Sequence, residues 1–180
     1  MAIQKLGHVG IYAKDIMKMR HFYSEILGLT ISDEDLSGLG AVFLTSNKER
    51  EHHEFVLFGR PEETTSVQQI SFNCESLQDV VDYYHRFKEH GVRFDRVVSH
   101  GNAVGLYFYD PEGNRCEVYW TTPWKARQPY GVAVDLTKEQ QEILKEIEAD
   151  VAQYAETGHR DPQSFVQQKE QLEREGIAVG

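Results

Sequence analysis

Several large classes of protein are excluded by what this chain has little of. Only two cysteines, Cys74 and Cys116, occur in 180 residues. Two thiols cannot build a disulfide framework, so a reducing cytoplasm is the expected setting. No apolar run approaches the roughly 20 residues that span a bilayer. The opening stretch MAIQKLGHVGIYAKD also lacks the apolar core of a signal peptide. Basic residues are in deficit, with 19 Lys and Arg against 29 Asp and Glu and a net charge of −10. Sequence-independent nucleic-acid binding needs clustered positive charge, so neither nucleic acid nor membrane is an expected partner. No GxSxG, GxGxxG or phosphate-loop motif appears. Both cysteines lie in apolar, strand-like segments and read as small core residues rather than nucleophiles.

What is present is enough for a folded core, with 40% hydrophobic and 27% charged residues. The charge is uneven. From Val134 onward there are five Lys/Arg and eleven Asp/Glu, a net of −6 in 47 residues, whereas the first 133 residues carry −4. That shift divides a compact body from an acidic tail. The tail reads as two helices. Leu136, Ile143, Leu144, Ile147 and Val151 form an apolar stripe over Thr137–Tyr154, with Thr137 and Gln140 spaced as a capping box. Asp161-Pro162 starts a second helix that holds Phe165, Val166 and Leu172. An apolar stripe must be buried somewhere, and a homodimer or higher oligomer is one expected way.

The body repeats itself. Residues 3–12 alternate as a strand, with Val9 and Ile11 against His8 and Gly10. Asp15 then caps a helix carrying Ile16, Met19, Phe22, Tyr23, Ile26 and Leu27, and Gly28 closes it. Strands follow at 29–32, 40–45 and 53–58. The same order returns with a strand at 68–74, a helix capped by Ser76, and strands at 92–98, 104–109 and 115–120. A turn at Asp110–Asn114 precedes the last strand. An offset of 61 residues sets His8 on Gln69 and Asp15 on Ser76. The body, residues 1–125, is therefore a duplicated βαβββ unit (modules about 3–60 and 66–122), and residues 126–180 are an acidic helical extension. The fold class is α+β.

His8 and Gln69 are matched first-strand positions, and the last strands carry His53-Glu54 and Glu117. Glu117 sits among hydrophobes in RCEVYW, where an unpaired carboxylate is costly to bury. Each residue has a bland reading. A strand histidine can be structural, Gln69 can bond backbone, and Glu117 can pair with Arg115. Joint placement on equivalent strands instead suggests a divalent metal held in an apolar cup. Alternation puts His53 and Glu54 on opposite faces and does not say which of them points inward.

The segments GHVGIYAKD, HHEFVLF, QISF and YDPEGNRCEVYW resemble the vicinal oxygen chelate superfamily of glyoxalase I, bleomycin-resistance proteins and type I extradiol dioxygenases. The resemblance covers about residues 3–122 and implies paired βαβββ modules forming a cup-shaped mixed sheet. HHEFVLF looks most like the extradiol enzymes. It implies metal ligands at His8, Gln69 and Glu117, an acid–base histidine at His53, and substrate-side roles for Tyr107 and His100. The implied metal is Fe(II), with Mn(II) or another divalent ion as the alternative. The implied reaction is cleavage of a catechol-like aromatic diol with O₂. The departure is Gln69, where the family has histidine. Two further readings stand beside this one. In the first, a glyoxalase-type isomerase or lyase uses His8, Glu54, Gln69 and Glu117. In the second, a protein of bleomycin-resistance type binds an aromatic ligand without catalysis.

Overall fold

A computed structural model describes residues 3–26, 28–60, 67–109 and 113–180. The turn expected at Asp110–Asn114 lies partly outside these residues, as does Leu27 of the first helix. The chain is α+β, with two βαβββ modules in sequence followed by C-terminal helices. Its contacts divide it into two compact units.

The unit Gly7–Ser71 contains most of the first module. Strand β1 (Ile3–Ala13) leads to α1 (Ile16–His21), then to β2 (Thr30–Asp35), β3 (Ala41–Thr45) and β4 (Phe55–Gly59). Strand β5 (Val67–Cys74) begins in this unit. The strand order is β2-β3-β4-β1-β5. β3 pairs antiparallel with β2 and β4, and β4 runs parallel to β1, with Val9 beside Phe55. Asp15 caps α1 as expected, its Oδ1 accepting from Lys18 N at 3.0 Å. The helix does not continue as a single α-helix, because Phe22–Ile26 form a π-helical turn. Val42, Leu44 and Leu57 are the buried centre, packed by Ile11, Ile16, Met19, Tyr23, Ile31 and Phe55.

The second unit runs over Phe72–Gly180 together with the start of β1. Its elements are α2 (Leu77–Glu89), β6 (Phe94–Ser99), β7 (Ala103–Tyr109), β8 (Arg115–Thr121), β9 (Val132–Ala133), α3 (Gln140–Tyr154) and α4 (Pro162–Arg174). The strand order is β8-β7-β6-β9, antiparallel throughout. Ser76 and Asp79 form a reciprocal capping box at the start of α2. Asp161 caps α4, accepting from Gln163 N and Ser164 N.

The tail packs inward. Ile143, Ile147 and Val151 of α3 and Leu172 of α4 share one buried cluster with Leu77, Val80, Phe94, Val104, Leu106 and Val118. Each such side chain contributes about 1.5–3 kcal/mol by leaving water. Gln168 of α4 is buried as well. Its Oε1 accepts from Val97 N at 3.0 Å, and its Nε2 donates to Val97 O and Val134 O at 2.9 Å each. One amide thus satisfies the β6 backbone next to the short β9 pairing. Helix α3 starts at Gln140, not at the expected Thr137. Asp135 Oδ1 accepts from both Thr137 N and Thr137 Oγ1, which closes a separate turn ahead of the helix. Among the described residues, no helix is long and apolar enough to cross a membrane.

Candidate active site

Two groups of polar side chains are buried, one in each unit. In the first, alternation along β1 puts His8 and Gly10 on one face, and alternation along β5 puts Gln69 and Ser71 on one face. His8 and Gln69 are 8% and 6% exposed. Their Nε2 atoms lie 2.7 Å apart, and Ser71 Oγ is 2.9 Å from His8 Nε2. Gln69 Nε2 also donates to Ser71 Oγ at 3.0 Å. An amide nitrogen only donates, so His8 Nε2 offers its lone pair to Gln69. That lone pair is the one a metal would use. Turning the amide over would present the Gln69 oxygen at the same place. The side chains present therefore fit a divalent ion with an N donor and an O donor side by side. Ser71 escaped the sequence reading, although its two-residue spacing from Gln69 was a visible signal.

Geometry bears on the choice between His53 and Glu54. Strand β4 starts only at Phe55, so alternation never applied to the pair. The His53 ring stands edge-on to His8 with centroids 4.4 Å apart, and Phe43 lies 5.2 Å from it. Glu54 bonds to the end of β3 through one of its oxygens. Its Oε2 accepts from Ser46 N at 2.7 Å and from the Ser46 hydroxyl, which holds the turn after β3. His52 supports His53, with Nδ1 atoms 2.8 Å apart. His52 Nε2 is 3.9 Å from an Asp33 carboxylate oxygen.

The second group occupies β6, β7 and β8. Glu117 is 2% exposed and lies opposite Tyr107 in the β7–β8 ladder. Room for its carboxylate comes from Gly105, where a Cβ would stand 2.2 Å from Glu117 Oε1. His100 follows β6. Its Nδ1 is 2.8 Å from Tyr130 O, and its Nε2 is 2.9 Å from Tyr107 Oη. Burial pushes the His100 imidazole below its ordinary pKa, while the Glu117 charge pulls the other way. The Arg115 guanidinium lies 4.2 Å over the Tyr107 ring and is ion-paired to Asp95 at 2.7 Å. Its charge also acts on Glu117, as the sequence suggested, while the contacts with Asp95 and Tyr107 were not foreseen. Both cysteines are buried. Burial raises the Cys74 thiol to about 11, which leaves it a poor nucleophile.

Among the described residues, no three His, Cys, Asp or Glu side chains converge as a metal cluster. The pair that does converge, His8 with Gln69, includes an amide.

Residues 5–118 match the Glyoxalase/Bleomycin resistance protein/Dioxygenase superfamily. The chain belongs to this superfamily. Two curated relatives come from Rhodococcus globerulus. Biphenyl-2,3-diol 1,2-dioxygenase 3 is 28% identical over 122 residues, covering 63% of this chain and 62% of that one. Biphenyl-2,3-diol 1,2-dioxygenase 2 is 26% identical over 154 residues, covering 74% and 78%. Among solved structures, the 2,3-dioxygenase LapB from Pseudomonas sp. KL28 superposes with a TM-score of 0.60 at 21% identity, over 68% of this chain and 44% of that one. The Mn(II)-bound glyoxalase from Novosphingobium aromaticivorans gives 0.58 at 21% identity, over 66% and 38%. At such identity these two structures speak for the superfamily fold alone. The chain spans under two thirds of the first relative and under half of either solved structure.

Proposed function

We propose that this chain is an extradiol-type dioxygenase that opens a catechol-like aromatic diol with O₂, using a divalent metal. The observation that carries the reading is the ring of His53, and not the carboxylate of Glu54, beside His8. The names of the two Rhodococcus relatives support it from outside the chain.

In this reading His8, Gln69 and Glu117 would hold the ion, with Fe(II) first among the candidates. Bound there, a divalent metal supplies Lewis acidity that lowers the pKa of the diol hydroxyls. His53 takes up a proton released by the diol and later returns it, a task suited to imidazole near neutral pH. Its contact with His52 Nδ1 orients the ring for that exchange. Tyr107 and His100 form one hydrogen-bonded unit that meets the substrate oxygens. Phe43 packs edge-on against His53 and limits the ring's movement. Residues 1–125 form the catalytic body in this proposal.

The glyoxalase-type alternative needs Glu54 as a proton carrier or ligand. One of its oxygens, Oε2, is held by the Ser46 turn, and this weighs toward the dioxygenase.

The test is to purify the protein without added metal or chelator, measure its metal content, and follow oxygen uptake with 2,3-dihydroxybiphenyl and catechol. Bound divalent metal with stoichiometric oxygen uptake is the expected result. Metal-loaded protein that consumes no oxygen with either diol would overturn the proposal.

A further inference from the structure

We propose that Gln128 is a positioning residue that fixes the ring orientation and tautomer of His100, and through it the direction of the Tyr107 hydroxyl. The consequence for substrate rests on the ring-cleavage reading; the structural part does not.

The chain of hydrogen bonds reads in one direction. A backbone carbonyl only accepts, so the 2.8 Å contact with Tyr130 O places the proton of His100 on Nδ1. Burial lowers the pKa of that ring and so favours its neutral form. Nε2 then carries a lone pair, and Tyr107 Oη must donate to it across 2.9 Å. With its single hydrogen spent, the Tyr107 oxygen can only accept from a ligand. It therefore suits a substrate group that still carries a hydrogen, such as a diol hydroxyl.

Gln128 holds both ends of this arrangement. It is 5% exposed. Its Nε2 donates to His100 O at 2.8 Å and to Ala126 O at 3.1 Å, while its Oε1 accepts from Tyr130 N at 3.1 Å. One amide thus ties the main chain of His100 to the main chain of the residue whose carbonyl sets its tautomer. The strap packs closely. Gly101 has a φ of +74°, and a Cβ there would stand 2.4 Å from Ala126 Cβ.

The C-terminal region clamps the same strap. Arg127 N donates to Ala155 O at 2.7 Å, Gly131 N to His159 O at 2.9 Å, and Asp161 N to Gly131 O at 3.0 Å. This assigns the tail a task beyond core packing, since residues 155–161 hold the segment that aims His100. Outer-shell bonds that orient metal-ligating histidines cost about ten- to a hundredfold when lost, and a loss of that order is expected for a histidine that orients a substrate-side tyrosine.

The experiment uses the 180-residue chain labelled with ¹⁵N-histidine. Long-range ¹H–¹⁵N correlations report which ring nitrogen of His100 bears hydrogen, with the signal assigned by its loss in His100→Gln. Wild type should show the Nδ1–H form alone. Gln128→Met, of similar length but without hydrogen bonds, should give a mixture of tautomers. It should also lower kcat about tenfold with KM little changed. An Nε2–H ring in wild type overturns the proposal whatever the variant does. A folded Gln128→Met with the wild-type tautomer and turnover overturns it too. A tautomer shift in a chain that opens no diol upholds the positioning role and removes the ring-cleavage reading.

Discussion

Replacing Gly105 by alanine tests the seat of Glu117 directly. The added Cβ would lie 2.2 Å from Glu117 Oε1, 3.1 Å from its Cδ and 3.3 Å from Tyr107 Cε2. Contacts under 3.0 Å are essentially never seen, so the carboxylate must move. At 2% exposure it has no water to swing into. Overpacking of this kind costs about 1–3 kcal/mol. Gly105 is not among the glycines with positive φ, so alanine can adopt its backbone, and the stiffer unfolded chain returns about 0.4–1 kcal/mol. The net loss is about 1–2 kcal/mol, or a Tm lower by roughly 2–8 °C for a chain of this size. If Glu117 is a ligand, metal affinity should fall as well, by about ten- to a hundredfold. Thermal unfolding and metal titration read the two effects separately. The control is the same substitution in a Glu117→Ala background, where the obstructing carboxylate is gone and the Tm cost should vanish. An equal cost in both backgrounds would show that the clash is not with Glu117, and the reasoning would fail.

Glu54→Leu removes the acceptor for Ser46 N and the Ser46 hydroxyl; a net hydrogen-bond loss of about 1 kcal/mol lowers Tm by roughly 2–4 °C. Diol turnover should survive, and its abolition in folded protein would return Glu54 to the site. The buried imidazole of His100 predicts a pH effect of defined sign. Below about pH 6.5 the unfolded chain binds a proton that the folded ring refuses, so stability falls as pH drops from there toward the folded pKa, and above that window the ring contributes nothing. Comparing Tm across this range in wild type and in His100→Gln isolates the effect; a wild type that gains stability relative to the variant on acidification contradicts it. At position 69, metal affinity should rank His above Gln above Leu, because imidazole donates more strongly than an amide oxygen and leucine not at all. Equal affinities across the three, measured by competition with a chelator, would remove Gln69 from the ligand set.

Much of the fold was legible because local signals agreed with the global pattern. Asp15, Ser76 and Asp161 each combine a capping side chain with an apolar stripe behind it, and each caps the helix expected of it. Thr137 failed because Asp135, two residues earlier, captures both its backbone N–H and its hydroxyl. The facing of His53 was illegible for a different reason. Alternation presumes a strand, and β4 begins two residues later. His8 with Gln69 was readable from the 61-residue repeat, since matched positions share a strand face. Gln128 left no trace in the pattern because it acts through main-chain atoms, which any sequence supplies.

The two modules also differ where a fourth ligand would have to come from. Glu117 is the third residue of β8. The third residue of β4 is Leu57, and the 61-residue offset would instead choose Val56. Both are buried at 1% exposure or less, and Leu57 is part of an apolar cluster with Val42 and Leu44. Whichever alignment is used, the last strand of the first module presents a hydrocarbon where the second presents a carboxylate. Glu54, the nearest acid, lies outside the strand and is bonded to the Ser46 turn. These strands therefore offer the proposed reading three candidate ligands, His8, Gln69 and Glu117, and no fourth. If all three bind an ion, positions remain on it for the diol and oxygen of the proposed reaction. In the proposed reading His53, which comes from the loop before β4 rather than from the strand, is the proton carrier.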